Sequence, residues 1–243
     1  MREFIKKALL GTVFLLLLIA IFWKTLTATA FWGLAMYQTK DHSATKLAPG
    51  PELALPASTS TASSTMYGSL HIPHFFTQTD VLVPENRRQT VFSDQDSNAY
   101  YLITAMEPHK DGFIARQSDT TAAGITSLCN TLTSVYATNP CQSDRSFITA
   151  VMMTARSTAG LFSNHRTKNA AATFLLLKTA YAPVETTTIN PFTTTDISGH
   201  LAYASTDSIA YLFDTNETGY EIVFVRMDQV EIESILASIS SYE

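Results

Sequence analysis

The sequence is poor in cysteine, glycine and charged residues. Two of its 243 residues are cysteine, nine are glycine and 15% are charged, whereas typical soluble domains carry about 25% charged residues. A Gly-x-Ser-x-Gly turn and a glycine-rich phosphate loop, the signatures of serine hydrolases and nucleotide-binding proteins, are absent. Ser43 and Lys46 match Ser-x-x-Lys, but they lie in a segment whose composition predicts a linker. We therefore predict a protein that is not an enzyme and carries no cofactor.

Clustered positive charge is also scarce. The formal net charge is −5, and binding to nucleic-acid phosphates requires grouped Lys and Arg side chains. Past the N-terminus the densest basic groups are Arg87–Arg88 and the set His165, Arg166 and Lys168. We interpret both groups as solvated surface, so nucleic acid is not an expected partner.

The N-terminal segment has the pattern of a membrane-insertion signal. An apolar run from Ala8 to Trp23 follows three basic residues, Arg2, Lys6 and Lys7. Positive charge before such a run predicts that the N-terminus stays inside and that the remainder is translocated. Trp23 beside Lys24 would mark the far interface of the span, as aromatic residues commonly do.

Two fates of this segment are open. The small-x-small site Ala28-Thr29-Ala30 would allow cleavage after Ala30 and secretion of the remainder. Alternatively, a helix from about Phe4 to Tyr37 would exceed the ~20 residues that cross a bilayer. We predict an uncleaved signal anchor over residues 1–37, in a bacterial inner membrane, with a cytoplasmic N-terminus and a periplasmic C-terminal domain.

Residues 38–66 differ in composition from the remainder. Three prolines, Pro49, Pro51 and Pro56, precede a run of Ser, Thr and Ala residues from Ala57 to Thr65. Such a segment buries too little apolar area to offset chain entropy, which predicts an extended or flexible linker. The remaining residues, 67–243, are numerous enough for one domain with a substantial core.

The first half of this domain combines a hairpin with helices. Thr90–Phe92 and Tyr100–Ala105 are rich in β-formers and flank a polar turn, which predicts a β-hairpin. Apolar residues at helical spacing then predict a helix closed by Asn139–Pro140. These residues are Ile125, Leu128, Cys129, Leu132 and Tyr136. Asp144–Arg156 has both helical and strand-like spacing, and its Met and Ala content favours a helix; Ala170 to Tyr181 is a further helical stripe.

The second half contains the clearest strands. Ile209–Phe213 and Tyr220–Val225 flank the polar segment Asp214–Gly219, which predicts a hairpin with Gly219 in a left-handed conformation. Strands followed by helices, then strands and a closing helix, predict an α+β fold. We expect a mainly antiparallel sheet with several packed helices, preceded by the N-terminal transmembrane helix.

A capping-box pattern marks the closing helix. Asp228 is followed three residues later by Glu231, which predicts a helix that continues to about Ser240. We predict that its apolar stripe packs on the sheet that contains Tyr211 and Phe224. The stripe consists of Ile232, Ile235, Leu236 and Ile239.

Cys129 and Cys141 are the two cysteines, and in an oxidising compartment they are expected to pair. If the helix ends near Ala137, Cys129 lies ~12 Å before its end, and the chain from there to Cys141 covers at most ~13 Å. The chain must therefore turn straight back at Asn139–Pro140, which this dipeptide permits. We predict a Cys129–Cys141 disulfide.

Three local patterns resemble metal sites without completing one. His71 and His74 lack a supporting Cys or carboxylate. Both Asp94-Gln95-Asp96-Ser97-Asn98 and the segment Asp214–Gly219 start like a calcium loop, but neither has the glutamate at the twelfth position. Turn formation explains both acidic segments, so we predict no metal site.

These observations together indicate a single-pass membrane protein that presents a non-catalytic, extracytoplasmic α+β domain. Its expected partners are the membrane and other proteins of an envelope complex. The alternative is an exported or tethered enzyme or ligand-binding domain whose site is assembled from residues distant in sequence.

Overall fold

The computed structural model describes residues 2–56, 64–73, 77–82, 88–93, 98–106, 110–111, 114, 122–136 and 139–241. The helices in this part of the chain are α1 (Arg2–Gln38), a 3-10 turn (Ser43–Lys46), α2 (Ala122–Thr133), α3 (Asp144–Met153), α4 (His165–Tyr181) and α5 (Gln229–Ser238). The strands are β1 (Ser64–Tyr67), β2 (Leu70–Pro73), β3 (Thr77–Leu82), β4 (Arg88–Ser93), β5 (Tyr100–Ala105), β6 (Thr188–Thr193), β7 (Ser198–Tyr203), β8 (Asp207–Phe213), β9 (Gly219–Val225) and β10 (Ser240–Ser241).

The strands form two antiparallel sheets within the described residues. The larger sheet has the order β3-β4-β5-β9-β8-β7-β6, and the smaller has the order β1-β2-β10. Two meanders, β3 to β5 and β6 to β9, meet where β5 pairs with β9, for example at Tyr101 and Phe224. The α+β class and the antiparallel sheet predicted from the sequence are therefore confirmed.

One face of the large sheet is covered by α5 and the small sheet. Alternate residues of β9, namely Tyr220, Ile222 and Phe224, are buried in one apolar cluster on this face. The cluster also contains the predicted stripe of α5 and two residues of β2: Ile232, Ile235, Leu236, Ile239, Leu70 and Ile72. The predicted packing of the closing helix on Phe224 is thus confirmed.

The opposite face of the sheet carries α2, α3 and α4. Tyr211 and Phe213 of β8 lie in this second cluster with Phe147 of α3 and Phe174 of α4. Because side chains alternate along a strand, Tyr211 belongs to the predicted sheet but faces away from α5. The two apolar faces place the sheet in the middle of a layered domain.

Both predicted hairpins are present, but one turn residue was wrongly predicted. β4 pairs with β5 and β8 pairs with β9 in antiparallel register. Glu217, with φ 62°, takes the left-handed position that we had predicted for Gly219. The Asp214 carboxylate explains the difference, because its Oδ1 accepts hydrogen bonds from the backbone N–H groups of Asn216 and Thr218 and closes the turn earlier.

The other predicted helices also form. α2 contains the predicted stripe from Ile125 to Leu132, whereas Tyr136 lies beyond its end. The ambiguous segment forms the helix α3 as far as Met153, and α4 carries the stripe that begins at Ala170. α5 begins with the predicted capping box, in which the side chain of Asp228 accepts from the Glu231 N–H and the Glu231 carboxylate accepts from the Asp228 N–H.

Residues 38–56, which we call the strap, differ from the predicted flexible linker. Ala44 and Thr45 are fully buried in the 3-10 turn. Ser43 donates its backbone N–H and its hydroxyl to the carbonyl of Val184, at 3.0 and 2.7 Å. The strap is therefore held against the domain by hydrogen bonds that its composition does not reveal. The linker residues 57–63 lie outside the described part of the chain, and the domain boundaries remain predictions.

The end of the strap covers one edge of the large sheet. The N–H groups of Gly50 and Leu53 donate to the carbonyls of Ile189 and Pro191 in β6, at 2.7 and 2.8 Å. A free edge strand is a template for pairing with another chain. Because the strap occupies the edge of β6, this edge is not open to pairing with another chain.

α1 is a single helix of 37 residues whose second half packs against the domain. Residues 22–27 are exposed, and Ala28 is the first buried residue after them. Trp32 and Ala35 pack against α4. Among the residues that the structure describes, no helix has both the length and the apolar character needed to cross a membrane. Many side chains of the apolar run from Ala8 to Trp23 lie outside the described part.

The stability of the domain should depend on the buried stripe of α5. Ile235→Ala should lower the free energy of unfolding by ~2–5 kcal/mol, because it opens a cavity beneath the helix. Denaturant unfolding of the detergent-solubilised chain measures the change. Val230→Ala, on the same helix but 75% exposed, is the matched control and should change stability by less than ~0.5 kcal/mol. If Ile235→Ala changed the free energy of unfolding as little as Val230→Ala, α5 would be a peripheral tail.

Candidate functional site

α4 is buried on two sides. Its Phe174 lies 5.5 Å, between ring centroids, from Phe147 of α3, on the side that faces the sheet. On the other side, Ala171 and Leu175 pack with Trp32 of α1. Alanines on both sides of α4 leave room for close neighbours. α4 is consequently the element that joins α1 to the sheet.

Lys178 of α4 is fully buried and acts as a structural cation. Its Nζ donates hydrogen bonds to the carbonyls of Leu47, Met152 and Thr154, at 2.9, 2.7 and 2.7 Å. Burial lowers the pKa of Lys178 to about 7, but the three donors of its ammonium match the three carbonyls. The side chain therefore connects the strap and the end of α3 to α4. Because Lys178 is fully buried, its ammonium group is not accessible to a substrate.

Arg156, just after α3, makes a second attachment to the strap. Its Nη2 donates to the carbonyl of Thr39 and its Nε donates to Oγ1 of Thr45, the latter at 3.2 Å. The backbone N–H of Arg156 also donates to the Thr45 carbonyl at 2.9 Å. Thr45 in turn donates its hydroxyl to the carbonyl of His42 at 2.7 Å. The strap is thus fixed at several consecutive positions.

The charge of Lys178 acts on two buried histidines. Burial lowers the pKa of His200 in β7 to about 4, and the charges of Arg145 and Lys178 act in the same direction. Burial also lowers the pKa of His42 in the strap, against the opposing effect of the Thr179 and Ala182 carbonyls. Both histidines are almost inaccessible to solvent. This group of bases therefore belongs to the core and has a stability role.

The buried His200 should make the fold sensitive to acid. The unfolded chain binds a proton on this residue below its ordinary pKa of ~6.5, whereas the folded chain binds it only near pH 4. Stability is therefore lost as the pH falls from 6.5 to 4, by at most about 3 kcal/mol from this residue. Denaturant unfolding at pH 7 and pH 4.5 should show a smaller difference for His200→Gln than for the wild type. An unchanged difference would exclude His200 as the acid-sensitive group.

The loop between α3 and α4 exposes two large apolar side chains. Gly160–Ser163, which we call the apolar turn, is closed by hydrogen bonds from Ser163 N–H to the Gly160 carbonyl and from Gly160 N–H to Ser163 Oγ, at 3.1 and 2.9 Å. Its central residues, Leu161 and Phe162, are 77% and 98% exposed. Central turn positions are normally polar or glycine. The apolar turn therefore presents apolar surface on a fixed backbone.

Lys168 holds the apolar turn beside α1. Its Nζ donates to the carbonyl of Leu161 at 2.8 Å and to Oγ1 of Thr29 at 3.0 Å. Lys168 is 2% exposed, so its interpretation as solvated surface was wrong. Its position on the first turns of α4, with Thr29 on one side and the turn on the other, explains its burial.

A groove of about 600 Å³ runs between α1 and α4. Thr27 and Phe31 line it from α1, and Asn169, Thr173 and Leu177 are among the residues that line it from α4. The lining mixes small, polar and apolar side chains. Its position, where α1 first meets the domain, places it next to the part of α1 that extends beyond the domain.

Cys129 and Cys141 lie at disulfide distance, as predicted. Their Cα atoms are 5.7 Å apart, within the range that a bridge requires. α2 ends at Thr133, earlier than the predicted Ala137, and the chain turns back near Pro140. The pair connects α2 with the start of α3 and lies outside the α1–α4 groove.

Within the described residues, the other candidates from the sequence do not form a site. Asp214 closes a turn, as described above, and Ser43 donates its hydroxyl to strap-binding carbonyls. His71 lies in β2, while His74 and Asp94–Ser97 lie outside the described residues. Within the described part of the chain, no three Cys, His, Asp or Glu side chains are grouped as metal ligands would be.

Three important features were missed in the sequence. Lys178 interrupts the apolar stretch Phe174–Tyr181, and a lone lysine in such a stretch is a signal of a buried, hydrogen-bonded cation. Leu161-Phe162 between Gly160 and Ser163 is an apolar pair at the centre of a turn. His200 carried no local signal, because its burial depends on α3 and α4.

Comparison of the chain with protein-family models, with curated proteins and with solved structures found no match.

Proposed function

We propose that this protein is a single-pass membrane protein that holds a non-catalytic α+β domain at the outer surface of a bacterial inner membrane, as one component of an envelope protein complex. The N-terminus is cytoplasmic in this proposal, and the domain is periplasmic. The anchor is supported by the apolar run from Ala8 to Trp23 and by the basic residues that precede it.

The observation that carries the proposal is the continuity of α1. One helix contains the apolar run and then the buried residues Ala28, Trp32 and Ala35. A domain joined by a flexible linker would sample many orientations, whereas this helix enters the domain without interruption. An anchor in the first half of α1 would therefore set the direction in which the domain projects from the membrane, as a component of an ordered assembly requires.

The same continuity argues against cleavage after Ala30. Ala28 is buried, and Thr29 binds Lys168, so the contacts between α1 and the domain begin before the cleavage position. Removing residues 1–30 would delete these contacts and leave Trp32 at a new chain end. Retention of the N-terminal segment preserves the whole α1–α4 interface.

The groove between α1 and α4 supports the protein-contact role. It follows α4 from Asn169 to Ala180, about 16 Å at ~1.5 Å per residue, or three helical turns. Small and hydroxyl-bearing side chains such as Thr27 and Thr173 allow helices to approach closely and to hydrogen-bond. The occupant that fits is a helix of a partner membrane protein that runs beside α1.

Retention of the anchor can be measured directly. The protein extracted from membranes with detergent should retain residues 1–30 in its intact mass, because the segment spans the bilayer and stays attached. Ala30→Gln, which places a large residue at the cleavage position, is the control and should give the same retention. A wild-type chain beginning at Phe31, beside an uncleaved variant, would contradict the anchor.

The groove should be required for assembly. After gentle detergent extraction, the wild-type chain should migrate on a native gel in a complex larger than itself. Thr173→Arg should release it from the complex, because the longer charged side chain fills the groove. Val230→Arg, at an exposed position on α5, is the matched control and should leave the complex intact. A complex that survives Thr173→Arg, with the variant folded by thermal melting, would refute this role of the groove.

A further inference from the structure

We propose that the apolar turn, Gly160–Ser163, is a second membrane contact, which inserts Leu161 and Phe162 into the anionic lipid surface beside the emerging α1. This inference rests on the proposed anchor and specifies how the domain sits on the bilayer. Exposure is the first reason. Phe162, at 98%, and Leu161, at 77%, are more exposed than the other large apolar side chains of the described residues.

The turn lies at the end of the domain from which α1 extends. The Nζ atom of Lys168 binds both the Leu161 carbonyl and Oγ1 of Thr29 in α1, at 2.8 and 3.0 Å. The turn and Thr29 are therefore neighbours, joined by one lysine side chain. Thr29 follows Trp23 by six residues, or ~9 Å along the helix axis. If Trp23 marks the membrane interface, Thr29 lies just beyond the lipid headgroups, whose layer is ~5–8 Å thick, and insertion requires Leu161 and Phe162 to extend from there back into that layer.

α1 itself presents apolar surface between this position and the apolar run. Phe22, Trp23 and Leu26 are each more than half exposed, and the other residues from 22 to 27 are also exposed. The turn and this part of α1 thus form two neighbouring apolar contacts. Two contacts fix an orientation, whereas a single helix leaves the domain free to rotate about the helix axis.

Charge complementarity favours an anionic lipid surface. Residues 145–184 contain no Asp or Glu, although the whole chain has a net charge of −5, and two of their five basic residues, Arg145 and Arg166, are exposed. Exposed Arg166 follows the turn by three residues, and exposed Lys24 follows Trp23 on α1. Basic residues beside inserted apolar side chains are the pattern by which proteins bind anionic membrane surfaces.

The turn is built to keep its apolar residues outward. Two hydrogen bonds close it, and the Asn164 side chain caps α4 by accepting from the Thr167 N–H at 2.9 Å. Lys168 then holds the Leu161 carbonyl. The backbone is fixed from both ends, so little chain entropy is lost when Leu161 and Phe162 enter the lipid.

The test places a nitroxide label on the full chain in vesicles of phosphatidylethanolamine and phosphatidylglycerol. Phe162→Cys carries the label in one sample, and Val230→Cys, which is similarly exposed on α5, carries it in the matched control. Since Cys129 and Cys141 are paired, each variant offers one free thiol. Collision rates of the label with oxygen, which partitions into lipid, and with a water-soluble nickel complex report its depth.

The label at position 162 should collide more with oxygen than with nickel, and the label at 230 should show the opposite ratio. Reducing the phosphatidylglycerol content should lower the oxygen-to-nickel ratio at 162 alone. A water-like ratio at 162, in a chain that resists alkaline carbonate extraction, would overturn the second contact and leave the anchor standing. A lipid-like ratio at 162 in a chain that carbonate extracts would instead refute the anchor and retain the contact. Unchanged melting temperatures exclude misfolding of either labelled variant.

Discussion

The packing of α4 between the sheet and α1 is the contact on which the remaining structure depends. A helix with one buried face contacts a single layer, so its removal leaves the packing of the other layers unchanged. α4 instead buries Phe174 toward the sheet and Leu175 toward α1, so it belongs to two layers at once. Its Lys178 then fastens the strap and the end of α3 by backbone carbonyls. The groove and the apolar turn owe their positions to the same helix, one through Thr173 and the other through Lys168.

The elements that the sequence predicts well are those whose signal is local. Alternating apolar residues in Tyr220–Val225 and the Asp228–Glu231 capping pattern depend on neighbours a few residues away, and both have the predicted structure. The Cys129–Cys141 contact follows from a helix and a turn over a short separation. In each case the residues that determine the structure lie within one or two neighbouring elements, so the local sequence contains the whole signal.

The features that were missed depend on contacts between distant segments. Lys168 looks like a surface lysine because nothing near it in sequence shows that Thr29 covers it. The strap has the composition of a flexible linker, yet carbonyls such as those of Val184 and Ile189 hold its N–H groups. Composition estimates how much apolar area a segment can bury by itself, and it does not count hydrogen bonds supplied by the rest of the fold. The candidate site consists mainly of such contacts, so little of it could be foreseen.

The contact between α1 and α4 also has a consequence for biosynthesis. Trp32 leaves the ribosome about 140 residues before Leu175, a delay of roughly 7–30 s at ~5–20 residues per second. During this interval the face of α1 that carries Ala28, Trp32 and Ala35 has no intramolecular partner. The meander from β3 to β5 likewise waits for β9. In a nascent chain this face therefore stays unpacked until α4 has been synthesised, so the contact between α1 and α4 forms late in biosynthesis.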